Sequence, residues 1–163
     1  NAMVLNREMG SWFLLGVMAP TLELEPDAPA TPNFGTCRPC MEACPTGAIV
    51  ADAVVDSNRY ISYHTIENKG EIPSAIQERM APWVFGCDVC QEVCPWNRFA
   101  PDTTEPDFAA RPEVAFPDPD KIAAMDEAAF LDTFAGTPVM RAKREGLTRN
   151  VAIVAGQPRE AAD

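Results

Sequence analysis

Residues 37–45 read CRPCMEACP, and residues 87–95 read CDVCQEVCP. Both stretches follow the spacing C-x2-C-x3-C-P, and together they contain all six cysteines of the chain. Thiolates are soft ligands that suit iron–sulfur clusters, and the proline after the last cysteine turns the chain and removes a backbone donor. The internal repeat of this spacing therefore predicts two metal-binding groups that were built in the same way.

The spacing is that of the last three cysteines in the bacterial C-x2-C-x2-C-x3-C-P run, where the fourth cysteine ligates the other cluster. If the two groups exchange ligands in this manner, one cluster receives Cys37, Cys40 and Cys94. The other receives Cys87, Cys90 and Cys44. Three thiolates fit a 3Fe–4S cluster, or a 4Fe–4S cluster whose fourth iron takes another ligand.

Each group lacks a nearby first cysteine, because Phe34 and Val84 stand three residues before Cys37 and Cys87. Structural zinc is an alternative, since C-x2-C knuckles also bind zinc and three thiolates plus water would suit it. Three disulfides are a weaker alternative, because neighbouring cysteines are too close for easy local bridges and no secretory signal is visible.

Composition narrows the class of protein. The chain has 163 residues, of which 47% are hydrophobic, so it can bury a core. Its net charge of −11 argues against nucleic-acid binding through bulk charge alone. The strongly apolar run Trp12–Pro20 is less than half of the roughly 20 residues that a membrane span needs, and we expect a cytoplasmic protein.

The predicted fold class is α+β, with three parts. Residues 4–29 are expected to form an N-terminal strand pair and linker, the remnant of a larger domain. Residues 30–100 are expected to form a ferredoxin-like two-cluster core with short strands. Residues 101–163 are expected to form a loop and then short helices, because Asp118-Pro119, Asp126 and Thr137-Pro138 are helix-start signals.

Within these parts, the strand pair is placed at 11–18 and 21–24, and a two-stranded ribbon at 46–50 and 53–55. Asp56 is expected to cap a helix over 57–68. Short helices are expected at 73–80 and 88–93, and residues 95–119 are expected to form a surface loop.

With these pieces in order, the chain resembles the C-terminal half of the epoxyqueuosine reductases, from about Leu5 to Gly156. The resemblance is carried by residues 5–11 (LNREMGS), 44–49 (CPTGAI), 61–67 (ISYHTIE), 86–90 (GCDVC), 94–98 (CPWNR) and 149–152 (RNVA). It implies two 4Fe–4S clusters that deliver electrons to a cobalamin, whose cobalt removes the epoxide oxygen of epoxyqueuosine in tRNA. It also implies that a corrinoid-binding N-terminal half completes the enzyme and that this chain alone is inactive.

The sequence departs from that family at two ligand positions. The family has cysteines where this chain has Phe34 and Tyr60. Phe34 cannot ligate iron, and the usual pKa of a tyrosine, about 10, opposes ligation by Tyr60 without help from the metal. The resemblance further implies that Ser62 and Asp88 approach cobalamin, although Ser62 could equally be a solvated helix serine and Asp88 a helix N-cap.

The single histidine and a set of basic residues give weaker indications of function. His64, the single histidine, is expected to be a surface or packing residue, with cluster ligation as the minority interpretation. Arg141, Lys143, Arg144 and Arg149 are a basic concentration that could contact tRNA phosphates or could be a solvated helix face. The leading hypothesis is the iron–sulfur half of an epoxyqueuosine reductase. The alternatives are a stand-alone ferredoxin-like electron-transfer protein and a structural zinc domain.

Overall fold

The computed structural model describes residues 3–6, 8–29, 35–115 and 117–156. These residues form a mixture of short helices with one small antiparallel sheet, β1 (Ile49–Ala51) and β2 (Val54–Val55). The predicted ribbon is therefore confirmed. Its turn contains Ala53 at φ 56°, a left-handed conformation that side chains other than glycine seldom adopt.

Seven α-helices follow one another along the described residues. Their bounds are α1 Pro39–Glu42, α2 Ser74–Gln77, α3 Val89–Glu92, α4 Pro112–Ala115, α5 Pro119–Ala124, α6 Glu127–Phe134 and α7 Lys143–Ala155. Short 3₁₀ turns lie at Ser57–Arg59, Pro95–Phe99, Pro106–Phe108 and Pro138–Arg141, and a π-helical turn lies at Tyr63–Glu67. None of the described helices is long and apolar enough to cross a membrane.

The helix-start signals were good predictors. The side chain of Asp118 accepts from the backbone N–H of Asp120 at the start of α5, and that of Asp126 accepts from Ala129 at the start of α6. Thr137 precedes the 3₁₀ turn at Pro138. A capping carboxylate satisfies backbone donors that the first helical turn leaves unpaired. These sequence signals therefore predict where the helices begin.

Three expectations were wrong in whole or in part. Residues 11–18 and 21–24 form no strand, and Val17 and Met18 are 93% and 92% exposed, since no described neighbour offers a strand edge with which they could pair. The helix expected over 57–68 is interrupted at Tyr60, whose backbone is extended. The loop expected over 95–119 contains two 3₁₀ turns and α4, although most of it is exposed.

The core consists of two clusters joined by α7. One contains the buried residues Ile122, Phe130, Phe134, Leu147 and Val151. The other contains Ile61, Ile72, Ile76 and Met80, with Trp83, Cys87, Ile153 and Val154 packed against it. The second cluster reaches the second cysteine motif directly through Cys87, so packing of the C-terminal helix is linked to the position of that motif.

Candidate metal centre

The two cysteine motifs adopt the same local structure and pack against each other. In each, the middle cysteine lies in a one-turn helix, Cys40 in α1 and Cys90 in α3, and these helices are in contact. Pro39 occupies the first turn of α1, where its missing N–H costs nothing. The arrangement brings sulfur atoms of both motifs to a shared boundary.

Two cavities lie on either side of this boundary, and each is lined by cysteines from both motifs. The Tyr60 cavity, of about 360 Å³, is lined by Cys44, Cys87 and Cys90 together with Tyr60. The Trp96 cavity, of about 290 Å³, is lined by Cys37, Cys40 and Cys94 together with Trp96. These are the two cysteine sets that ligand exchange between motifs requires, and ligation by them stays a prediction.

The thiols surround a volume rather than a point. All six cysteines are free thiols. Among the described residues, no three His, Cys, Asp or Glu side chains converge closely enough to hold one metal ion. A single zinc ion needs its ligands at bonding distance from one centre, whereas a cuboidal cluster spreads its thiolates around a larger body. The donor chemistry and the cavities therefore fit iron–sulfur clusters better than zinc.

Cys44 has a different electrostatic environment from the other two thiols of the Tyr60 cavity. Burial raises the pKa of Cys44, but hydrogen bonds from the backbone N–H groups of Ala48, Thr46 and Ile49 and from the Thr46 hydroxyl outweigh burial and leave the pKa below its ordinary value. The Ala48 nitrogen lies 3.2 Å from the sulfur. Donors aimed at a thiolate stabilise its charge, so this sulfur is prepared for metal binding.

The pKa values of the other two thiols, Cys87 and Cys90, are raised. Burial is the main cause at Cys87, and burial together with the charges of Cys87, Cys40 and Cys44 raises the pKa of Cys90 to about 11. A bound iron would offset the repulsion between these thiolates, because it carries positive charge.

The two departures from the family pattern have different outcomes. Tyr60 lines the cavity with Cys44, Cys87 and Cys90, which is where a replacement ligand would have to lie. Phe34 lies outside the described residues.

The two residues predicted to approach cobalamin do not line either cavity. The Ser62 side chain is half-buried and hydrogen-bonds to the phenol of Tyr60. Asp88 occupies the N-cap position of α3, but its side chain accepts from the Gln91 side chain at 3.2 Å rather than from the helix backbone. Contact of Ser62 or Asp88 with a corrinoid stays a prediction.

His64 is a packing residue. It is 4% exposed, its Nε2 lies 2.9 Å from the Asn58 carbonyl oxygen, and its Nδ1 lies 3.2 Å from the Asn68 side-chain nitrogen. A carbonyl can only accept and an amide nitrogen can only donate, so Nε2 donates to Asn58 and Nδ1 accepts from Asn68. Both nitrogens are used inside the fold, as the packing interpretation expects.

Sequence reasoning missed the hydrogen-bonded brace behind the Tyr60 cavity. Asn150, 0% exposed, donates to the carbonyls of Thr65 and Val84 at 2.8 and 2.9 Å. The Thr65 hydroxyl in turn accepts from the N–H of Gly86 at 3.0 Å, immediately before Cys87. Gly86 has φ +74°, which glycine adopts without strain. In the sequence, Asn150 stands out only as part of the family segment at 149–152. No neighbouring residue indicates that its side chain joins two distant carbonyls.

The basic concentration is largely occupied by internal partners. Arg149 donates to the carbonyls of His64 and Asn68, each at 2.9 Å. Arg141 pairs with Glu67, and Arg144 pairs with Glu127 at 3.2 Å. These contacts favour the interpretation of a helix face that neutralises acidic neighbours over a patch reserved for phosphates.

Comparison with known proteins agrees with this assignment of the centre. Residues 35–97 match the family model of a 4Fe-4S double cluster binding domain. This match supports iron–sulfur clusters as the cofactors of the region that contains both cavities.

The chain is similar to epoxyqueuosine reductases over nearly its whole length. The chain is 44% identical over 156 residues to the epoxyqueuosine reductase of Alicycliphilus denitrificans, covering 96% of this chain and 43% of that protein. The structure of epoxyqueuosine reductase from Streptococcus thermophilus superposes with a TM-score of 0.83 at 29% identity, covering 94% of this chain and 40% of that one. An epoxyqueuosine reductase crystallised with an epoxyqueuosine-modified tRNA-Tyr stem loop superposes with a TM-score of 0.81 at 28% identity, covering 93% and 40%.

Proposed function

Because this chain is homologous to the C-terminal portion of the epoxyqueuosine reductases, we propose that it is the iron–sulfur portion of such an enzyme. In this role it delivers electrons to a corrinoid for the reduction of epoxyqueuosine in tRNA to queuosine. The chain spans about two-fifths of the length of the relatives that it matches. We propose that the remaining portion of such an enzyme supplies most of the corrinoid site. We expect no turnover by this chain alone.

The observation that carries the proposal is the division of six thiols between two cavities. Cys44 joins Cys87 and Cys90, while Cys94 joins Cys37 and Cys40. This division supports a ferredoxin-like arrangement, in which each motif contributes a distant thiolate to the other's cluster. When bound, the clusters would supply electrons at a potential set by their surroundings.

The residues around the thiols would tune and insulate the clusters. The Tyr60 cavity has the apolar side chains of Ile49, Val55 and Ile61 in its lining, and the Trp96 cavity has Leu5 and Trp96. An apolar lining limits water and lowers the local dielectric, which shifts the potential of a cluster. The hydrogen bond from Ala48 to the Cys44 sulfur would tune the potential differently, by stabilising negative charge on one ligand.

A relative supports the tRNA part of the proposal, and the corrinoid part rests on the resemblance to the family. One relative is named for a complex with an epoxyqueuosine-modified tRNA stem loop. We propose the same substrate class for the complete protein to which this chain corresponds, with Ser62 and Asp88 near the corrinoid. We also propose a cytoplasmic location, where such a tRNA would be found.

The test of the proposed function combines this chain with an N-terminal portion, cobalamin and a modified RNA substrate. The chain is reconstituted with iron and sulfide without oxygen, reduced chemically, and mixed with cobalamin, the N-terminal portion of the Alicycliphilus denitrificans relative, and an epoxyqueuosine-modified stem loop. We expect the cobalamin spectrum to change to that of reduced cobalt and queuosine to accumulate, as measured by mass spectrometry of nucleosides.

The matched controls are Cys90→Ala and Cys94→Ala, each of which removes one thiolate from one cavity. Both should lower electron delivery severely. Clusters that cycle reversibly but never reduce the corrinoid would favour a stand-alone electron-transfer protein. A colourless protein with stoichiometric zinc would favour a structural metal domain.

A further inference from the structure

A cuboidal 4Fe–4S cluster has four irons, and the Tyr60 cavity offers three thiolates. We propose that Tyr60 is the fourth ligand, through its phenolate oxygen, of the cluster that Cys44, Cys87 and Cys90 hold. This inference rests on the proposed cluster-binding function and gives the two clusters of this chain different ligand sets. The evidence is the position of the phenol, the nature of its neighbours and the way its backbone is held.

The backbone of Tyr60 is anchored on both sides. Its N–H donates to the Ser57 carbonyl at 3.1 Å, and its carbonyl accepts from the His64 N–H at 3.1 Å. The following residue, Ile61, is 2% exposed and belongs to the core cluster. The backbone of this extended residue between two helical turns is therefore fixed beside the cavity that Tyr60 lines, with Tyr60 37% exposed.

The other donors in the lining are poorer ligands for iron. Among the described lining residues these are Met3, Thr46 and Ser57. The thioether of Met3 carries no charge, and aliphatic hydroxyls are much weaker acids than a phenol. Thr46 also contacts the Cys44 sulfur, at 3.9 Å. His64 has both ring nitrogens bonded within the fold and does not line the cavity.

The surroundings of Tyr60 disfavour a phenolate, and a bound iron would favour one. Burial and the charges of Cys90, Cys87 and Asp88 raise the pKa of Tyr60, while a hydrogen bond from Ser62 opposes them. Iron carries the positive charge that reverses this balance. In the ligation step a water leaves the fourth iron, the Tyr60 oxygen bonds to that iron, and the phenolic proton passes to solvent. No electron is transferred.

The experiment uses the whole chain, reconstituted without oxygen, with resonance Raman spectra and iron counts from native mass spectrometry. The chain has two tyrosines, so phenolate–iron modes can arise only from Tyr60 or Tyr63. We expect the unaltered protein to show these modes. Tyr60→Phe should lose them together with one iron per chain, and Tyr60→Cys should lose them but keep the iron. Tyr63→Phe, outside the cavity lining, is the matched control and should keep both.

Different experimental results would overturn Tyr60 ligation and the proposed cluster-binding function. Intact clusters without phenolate–iron modes, and with the same iron count in the unaltered protein and in Tyr60→Phe, would overturn Tyr60 ligation alone. Absence of iron and sulfide from the unaltered protein and from Tyr60→Cys would overturn cluster binding and the inference together.

Discussion

The two cavities have equivalent cysteine spacing but different surroundings. Cys87, in the Tyr60 cavity, packs against the core, and the wall beside it is braced through Thr65 by Asn150 of α7. The Trp96 cavity is lined partly by surface segments, and Cys37 is the one exposed cysteine of the six. The spacing of a motif therefore decides which thiols meet, whereas residues far away in sequence decide how dry and how rigid each site is.

The largest effect should come from removing single thiolates, which tests whether the cavities are separate sites. Cys44→Ala and Cys90→Ala should each lose the cluster of the Tyr60 cavity and keep the other, so that about half of the iron remains. Cys40→Ala should lose the opposite cluster. Iron and sulfide analysis with electron paramagnetic resonance distinguishes the two spectra. If Cys44→Ala instead gave the Cys40→Ala spectrum, each motif would hold its own cluster.

The second-largest effect is expected from breaking the hydrogen-bonded brace behind the Tyr60 cavity. Asn150→Ala leaves the buried carbonyls of Thr65 and Val84 without their donor, which should lower the free energy of unfolding by about 2–3 kcal/mol. The exposed Asn58→Ala is the control, expected within about 0.5 kcal/mol of the unaltered protein. Chemical denaturation followed by circular dichroism measures both. Equal stabilities of the two variants would show that the brace contributes nothing.

Near the Trp96 cavity, a hydrogen bond between Ser11 and Asn97 plays a similar role with a smaller expected effect. Asn97 accepts from the Ser11 N–H at 2.6 Å, and a Cβ added at Gly10 would lie 2.2 Å from the Asn97 side-chain oxygen. Gly10→Ala should therefore release Ser11 from Asn97 at a cost of about 1–3 kcal/mol. Faster hydrogen exchange at the Ser11 amide is the expected readout. Gly16→Ala, which meets nothing within 4 Å, is the matched control and should leave that exchange unchanged.

The smallest effect concerns one hydrogen bond to sulfur. Thr46→Val removes the hydroxyl beside the Cys44 sulfur, and Thr46→Ser retains it. Hydrogen bonds to cluster sulfur favour the reduced, more negative state, so Thr46→Val should lower the potential of the Tyr60-cavity cluster while Thr46→Ser leaves it close to the original. A redox titration of the two variants checks this. A lowered potential in both would point to packing rather than to the hydroxyl.

Local signals in the sequence predicted local structure well. Proline and capping aspartates predicted the starts of α5 and α6, and the cysteine spacing predicted the two sets of three cysteines that line the cavities. These features depend on a few neighbouring residues, or on a spacing repeated within the chain.

Features that depend on distant partners were not predictable. The apolar pattern of residues 11–18 indicated a buried strand, but a strand needs an edge to pair with, and the described chain offers none there. Asn150 gave no local sign that it would join Thr65 to Val84, since those residues lie 85 and 66 positions away. Tertiary contacts of this range are absent from any short window of sequence.

The central claim is that two clusters are divided between two cavities, each held by thiolates from both motifs. Native mass spectrometry of the unaltered chain, reconstituted with iron and sulfide without oxygen, tests it most directly. The account predicts a mass increase for two clusters, with about six to eight irons and matching sulfide. One cluster per chain, or metal ions bound without sulfide, would contradict it.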